Sequence, residues 1–174
     1  MQQKNNLTPN YFSYALYSVI FTALLFILFG SNGWGPSAAN EQAIGEISRW
    51  CERVSGGFFR EPVNTLGNLG FVVTGLYMFY KLSKDATTPK GIIMFSSSSL
   101  ALLYASASTF LGPGSMAMHG THTKFGAWLD NVSMVTYILI LWIYNLKRLS
   151  NFTQKTFYYI YLSILIYFAI AYWN

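Results

Sequence analysis

The sequence predicts an all-α protein, a multi-pass transmembrane helical bundle of about five spans. Three observations carry this reading. Of the 174 residues, 53% are hydrophobic and 10% charged, against roughly 25% charged in an ordinary soluble domain. Five windows approach the roughly 20 mainly apolar residues that a helix needs to cross a bilayer, at 11–30, 64–80, 91–112, 128–146 and 157–174. The Lys and Arg side chains lie between these windows rather than on one basic stripe, so the net charge of +5 argues for connectors at a membrane surface and against a nucleic-acid partner.

The first window, within residues 1–30, follows Lys4 and precedes a "SAA" run at 37–39 that resembles a processing site. Its apolar stretch exceeds the 7–15 residues of a signal-peptide core, so a retained N-terminal helix is expected. Residues 31–63 form a connector in which Ile44, Ile47, Trp50, Cys51 and Val54 recur at helical spacing before Gly56 and Gly57. A short amphipathic helix at the membrane surface is expected there. Its acids, Glu41, Glu46, Glu52 and Glu61, read as a solvated loop face, and Cys51, the single cysteine, reads as a small buried filler.

Residues 64–174 hold the remaining windows. Asn64 and Asn68 share a helix face near Gly67 and Gly70, and the third window carries "SSSS" and "ASAST". Small, weakly polar residues let membrane helices approach closely, so these helices belong inside the bundle. Lys4, Lys81, Lys84, Lys90, Lys147, Arg148 and Lys155 fall on one side of the membrane, and Arg49, Arg53, Arg60 and Lys124 on the other. Cytoplasmic loops carry the excess of positive charge. The N-terminus is therefore expected in the cytoplasm, with the 31–63 and 113–127 connectors together on the extracytoplasmic or lumenal face.

Both histidines lie in "GPGSMAMHGTHTKFGAWLDN", residues 112–131. Ser108, Gly112, Ser115 and His119 step by four, three and four, one face of a helix, provided that the helix kinks at Pro113 rather than ending there. Asp130 lies too far along an unbroken helix to reach His119, but a turn at "HGTHTKFGA" folds the two spans back and lets them meet. Ionisable groups at the edge of a membrane bundle mark functional sites. A neutral imidazole is a good zinc ligand when a nearby carboxylate orients it. A serine nucleophile is chemically open as well, although no Gly-x-Ser-x-Gly elbow surrounds Ser115. So is a plain capping role at two helix ends. His122 reads as a solvated loop histidine.

"WCERVSGGFFREPVNTLGNLGF" followed by "GSMAMHGTHTKFGAWLDNVSM" resembles the alkaline ceramidase family, within the superfamily that includes the adiponectin-receptor-like membrane proteins. The shared pattern is Trp-Cys-Glu, then Glu-x-x-Asn-Thr-x-x-Asn-Leu opening a span, then Ser-x-x-x-His with an Asp eleven residues later. The resemblance implies a seven-helix membrane hydrolase that cleaves the amide of ceramide to a sphingoid base and a fatty acid. It implies His119 as a zinc ligand, with Ser115 and Asp130 as catalytic residues that position water or stabilise developing charge. Trp-Cys-Glu lies outside the membrane in the family, in agreement with the charge count.

The resemblance covers residues 49–174, the first four helices of the family's seven, with the 11–30 helix as an N-terminal addition. The family's His-x-x-x-His pair on its last helix is absent, so the sequence is expected to be truncated and this chain to be inactive alone. The resemblance also implies a calcium site, of which Trp50, Glu52 and Glu61 are present. Arg49 and Val54 stand where the family has Asp and Asn, so this site is expected to be degenerate, with Glu61 or Glu52 paired to Arg49 or Arg53 instead. The expected function is a zinc-dependent amidase acting on a membrane lipid. The alternatives are a non-catalytic receptor or scaffold that retains the fold, and a zinc site completed between two copies.

Overall fold

A computed structural model describes residues 10–85 and 98–173. Lys4, the connector at 86–90, the start of the third window at 91–97 and Asn174 lie outside the described residues. The described residues are helical apart from the connectors and one isolated bridge. Three helices are long and apolar enough to cross a membrane, α1 (Tyr11–Gly30), α5 (Lys124–Ser150) and α6 (Gln154–Trp173). Between them lie α2 (Pro62–Gly67), α3 (Leu69–Asp85) and α4 (Ser98–Thr121). The chain thus has the make-up of a membrane protein.

Asn10 caps α1 by accepting from Ser13 N–H at 3.3 Å, which satisfies one of the donors a helix start leaves open. Most of α1 faces outward, and the helix is tied at its two ends. At the first, Phe12 N–H donates to Ser83 Oγ at 3.0 Å and the Phe12 ring meets Tyr80 edge-on. At the second, Trp34 packs edge-on between Phe26 and Phe58 and donates through Nε1 to Phe58 O at 2.6 Å.

The expected surface helix around 44–54 does not form. The segment makes turns and an antiparallel bridge between Ile47 and Arg53, held by Ser48 N–H to Glu52 O, Val54 N–H to Glu46 O and Gly45 N–H to Val54 O, each at 2.8 Å. Cys51 takes the left-handed conformation, φ 64°, at the tip. It is exposed rather than a buried filler. Ile44 and Ile47 are exposed too, so the apolar periodicity found no partner surface, and local pairing across the tip prevailed.

The second window also divides differently. Pro62 opens α2 at the position where its missing N–H costs nothing, and the helix breaks at Asn68 before α3 begins. In contrast, α4 runs through Pro113 to Thr121, nine residues past the expected end of the third window. Its neighbours pack closely on either side. A Cβ on Gly75 of α3 would lie 2.6 Å from Thr109 N, and one on Gly126 of α5 only 2.4 Å from Ala117 O. These two glycines set the α3–α4 and α4–α5 spacing, as small residues do where membrane helices touch.

The apolar core lies among α4, α5 and α6, around Leu100, Ala107, Ile140, Ile143, Phe157 and Tyr161. Trp128 Nε1–H donates to Ala169 O at 2.8 Å, and Lys124 lies over the Trp173 ring, so the end of α6 sits beside the start of α5. Gln154 Nε2 donates to Ser99 Oγ at 2.7 Å at the opposite end. This antiparallel order gathers Lys81, Lys84, Lys147, Arg148 and Lys155 at one end of the bundle and Arg49, Arg53, Arg60 and Lys124 at the other.

Candidate functional site

The site forms where the end of α4 meets the connector that precedes α2. A helix leaves its last carbonyls without intrahelical donors, and here the connector supplies them. Glu61 N–H donates to His119 O at 2.9 Å, Arg60 N–H to Gly120 O at 2.9 Å and Ala38 N–H to His122 O at 2.8 Å. Backbone pairing alone therefore brings Glu61 against His119, although 58 residues separate them.

Ser115 and His119 both lie on the buried side of α4, one turn apart as the spacing requires. Thr121 ends the helix, His122 adopts φ 54°, and Thr123 caps α5 by accepting from Gly126 N–H at 3.0 Å. This turn is only two residues long, and it returns Asp130 to the level of Ser115. The Ser115 hydroxyl faces the Asp130 carboxylate, and His119 interacts with it electrostatically. Asp130 Oδ1 is buried and has no hydrogen-bond partner. The three residues that the sequence placed together are together.

Glu61 is fully buried, not part of a solvated face. Its Oε2 lies 2.6 Å from His119 Nδ1 and its Oε1 3.0 Å from His122 Nε2. Asn64 Nδ2 also donates to Oε2 at 2.9 Å. Burial pushes the Glu61 carboxyl upward. The hydrogen bonds from Ser48, Asn64 and His119 and the charge interaction with His119 outweigh it and hold the group below its ordinary value.

His122 is not a solvated loop residue either. It is fully buried, and its Nδ1, which makes no hydrogen bond, lies 3.9 Å from Glu41 Oε2. Nor does Glu61 or Glu52 pair with an arginine. Arg49 bonds Glu41, and Arg53 bonds the Gly45 carbonyl. Glu52 accepts from Val63 N–H and Asn64 N–H at 2.8 Å each, a negative charge placed at the start of α2. The Trp50 ring stands edge-on to His119 with centroids 4.9 Å apart, so it covers the outer side of that imidazole.

Sequence reasoning named Glu61 but gave it no histidine partners, and it read Glu41 as part of a solvated face and His122 as a solvated loop histidine rather than as parts of this cluster. The Glu-x-x-Asn pattern was the available signal for Glu61. Nothing in the local pattern announces His122, whose burial follows from its left-handed turn and from the connector folding over it.

A cavity of about 430 Å³ lies between α1 and the α3–α4 pair, lined by residues that include Val19, Phe26, Phe79, Phe110 and Pro113. Three hydroxyls on its wall are turned to their own helices, Thr22 to Ser18 O and Thr109 to Ala105 O at 2.9 Å, and Ser106 to Leu102 O at 2.8 Å. The lining is consequently apolar in character.

No curated protein and no solved structure matches the chain. The family model described as Ceramidase matches residues 47–174, a range that takes in the connector, Glu61, the Ser115, His119 and Asp130 cluster, and α6. On that match, and with the motif residues brought together by the fold, the chain belongs to the ceramidase family.

Proposed function

We propose that the protein is a zinc-dependent amidase that cleaves the amide of a ceramide-like membrane lipid to a sphingoid base and a fatty acid. The observation that carries the reading is the convergence of the buried Ser115 and His119 on Asp130 at one end of the bundle, within the family match. Two donors of the kinds that zinc takes are present at this site among the described residues, one short of a catalytic set. His119 offers an imidazole nitrogen beside a buried carboxylate oxygen, Asp130 Oδ1, that has no partner of its own. Zinc, when bound, supplies a Lewis acid for water and for the amide carbonyl.

The chain's own residues account for the proton movements. Asp130 Oδ1 accepts a proton from the attacking water as its oxygen bonds to the carbonyl carbon. As the C–N bond breaks, that proton passes to the leaving amine. The Ser115 hydroxyl donates to the Asp130 carboxylate and holds that base in place. The apolar cavity beside α1 offers room for an acyl chain.

The same residues do not fit calcium. Both Glu61 oxygens are taken by imidazoles, both Glu52 oxygens by N–H groups of α2, and Trp50 O accepts from Asn64 Nδ2 at 3.4 Å. A hard cation needs six to eight oxygens, and with Arg49 and Val54 in place of the family's Asp and Asn the chain retains only Trp50, Glu52 and Glu61 of that set.

A second reading, a non-catalytic lipid-binding scaffold of the same fold, is favoured by one observation: among the described residues no group of three His, Cys, Asp or Glu is arranged to hold a metal. Catalytic zinc takes three protein ligands, and the third reading, a site shared between copies, would supply them from a partner. The test is fatty-acid release from a ceramide in vesicles containing the protein, with zinc content measured in parallel. The amidase reading expects no release from the chain alone. Once the missing zinc ligands are supplied by a His-x-x-x-His segment or a second copy, it expects release that is lost with chelator and with His119→Ala. Lipid binding with no release and no zinc even then would sink it in favour of the scaffold.

A further inference from the structure

We propose that Glu61 is a positioning residue: it locks His119 with its proton on Nδ1 and so leaves a bare Nε2 on the side of the ring away from Glu61. The argument begins with what a carboxylate can do. An ionised carboxylate only accepts hydrogen bonds, and Asn64 Nδ2 already donates to Glu61 Oε2 at 2.9 Å. Each imidazole nitrogen within hydrogen-bond distance of it must therefore carry a proton. Those nitrogens are His119 Nδ1 at 2.6 Å and His122 Nε2 at 3.0 Å.

A neutral imidazole carries one proton, so protonation of His119 at Nδ1 leaves the lone pair on Nε2. That is the atom a metal needs, and a carboxylate on the opposite ring nitrogen is the arrangement that orients metal-binding histidines and raises their basicity. The clamp extends beyond one bond. Glu61 is itself fixed by Asn64 Nδ2, by the backbone bond to His119 O and by His122 on its second oxygen. The Trp50 ring limits rotation of the His119 imidazole from the other side. Glu61 touches no reacting atom in this scheme and acts only through His119.

The inference rests on His119 as the zinc-binding residue of the proposed function, but its test does not. The chain contains two histidines, so histidine-specific 15N labelling of the full protein in lipid nanodiscs gives four ring-nitrogen signals, assigned by His122→Asn. The expected spectrum without metal shows His119 protonated on Nδ1 and bare on Nε2. A glutamine at position 61 has one accepting oxygen and an amide group that donates, so Glu61→Gln can satisfy both imidazoles only if one of them moves its proton to the other nitrogen. One histidine should change tautomer in Glu61→Gln, and Glu61→Asp should retain the original pattern.

A wild-type His119 protonated on Nε2, or a Glu61→Gln protein with both tautomers unchanged, overturns the proposal. The wild-type spectrum decides the first point even where a variant does not fold. Titration with zinc alone is the separate arm. A shift at His119 Nε2, with affinity about 10- to 100-fold weaker in Glu61→Gln, supports both the clamp and the zinc reading. Expected tautomers with no response to zinc leave the clamp standing and overturn the zinc reading.

Discussion

At the scale of single residues, the site divides into groups that local spacing could place and groups that it could not. Ser115 and His119 are one helical turn apart, so their shared face follows from helix periodicity alone. Glu61, His122 and Glu41 have no such relation. Their burial depends on donors of the connector finding the open carbonyls at the end of α4. Glu52 shows the same dependence on a smaller scale, because its carboxylate serves the start of α2, eleven and twelve residues away. Glu52→Ala should lower stability by about 1 kcal/mol, the usual worth of a helix cap, seen as a fall in thermal unfolding temperature in detergent. An unchanged transition would show that these N–H groups find other acceptors.

At the scale of elements, the spacing of α3, α4 and α5 holds the site geometry. Gly126 lies three residues past the Thr123 cap and four before Asp130, and its absent side chain lets the start of α5 rest on the Ala117 carbonyl. Gly126→Ala should destabilise the protein by about 1–3 kcal/mol through overpacking and should also move Asp130 away from Ser115. Gly70 of α3 is the matched control, since nothing lies within 4 Å of a Cβ built there. Gly70→Ala should be neutral or mildly stabilising, as glycine is the poorer helix former. Equal effects of the two substitutions in denaturant unfolding would refute the packing argument. The small residues that set this spacing were legible as interface residues, but which helix each one meets was not.

At the scale of the whole molecule, the two ends of the bundle differ in charge, and the site lies at the end with Arg49, Arg53, Arg60 and Lys124. On the positive-inside rule we propose that this end faces away from the cytoplasm. Cys51 is the chain's single cysteine and is exposed beside the site, which makes it a topology probe without further engineering. A membrane-impermeant maleimide should label it from the side opposite to that on which a protease removes an N-terminal tag. Labelling and cleavage from the same side would reverse the orientation or show that α1 does not cross the membrane. The three apolar helices α1, α5 and α6 fit insertion by length and composition, whereas α3 and α4 carry the small and polar residues of helices that face protein.

The sequence by itself determined an all-helical membrane chain, the placement of most helices, and the partnership of Ser115, His119 and Asp130. These follow from composition, from periodicity along one helix, and from a short turn between two apolar spans. Only the tertiary structure decided that the 44–54 stretch is not a helix, that α4 runs through Pro113, and that Glu61 joins His119 to His122. Periodicity reports which face of an element is apolar, but the partner of a buried charge is set by backbone pairing between segments far apart in the chain. Such pairing has no local signature.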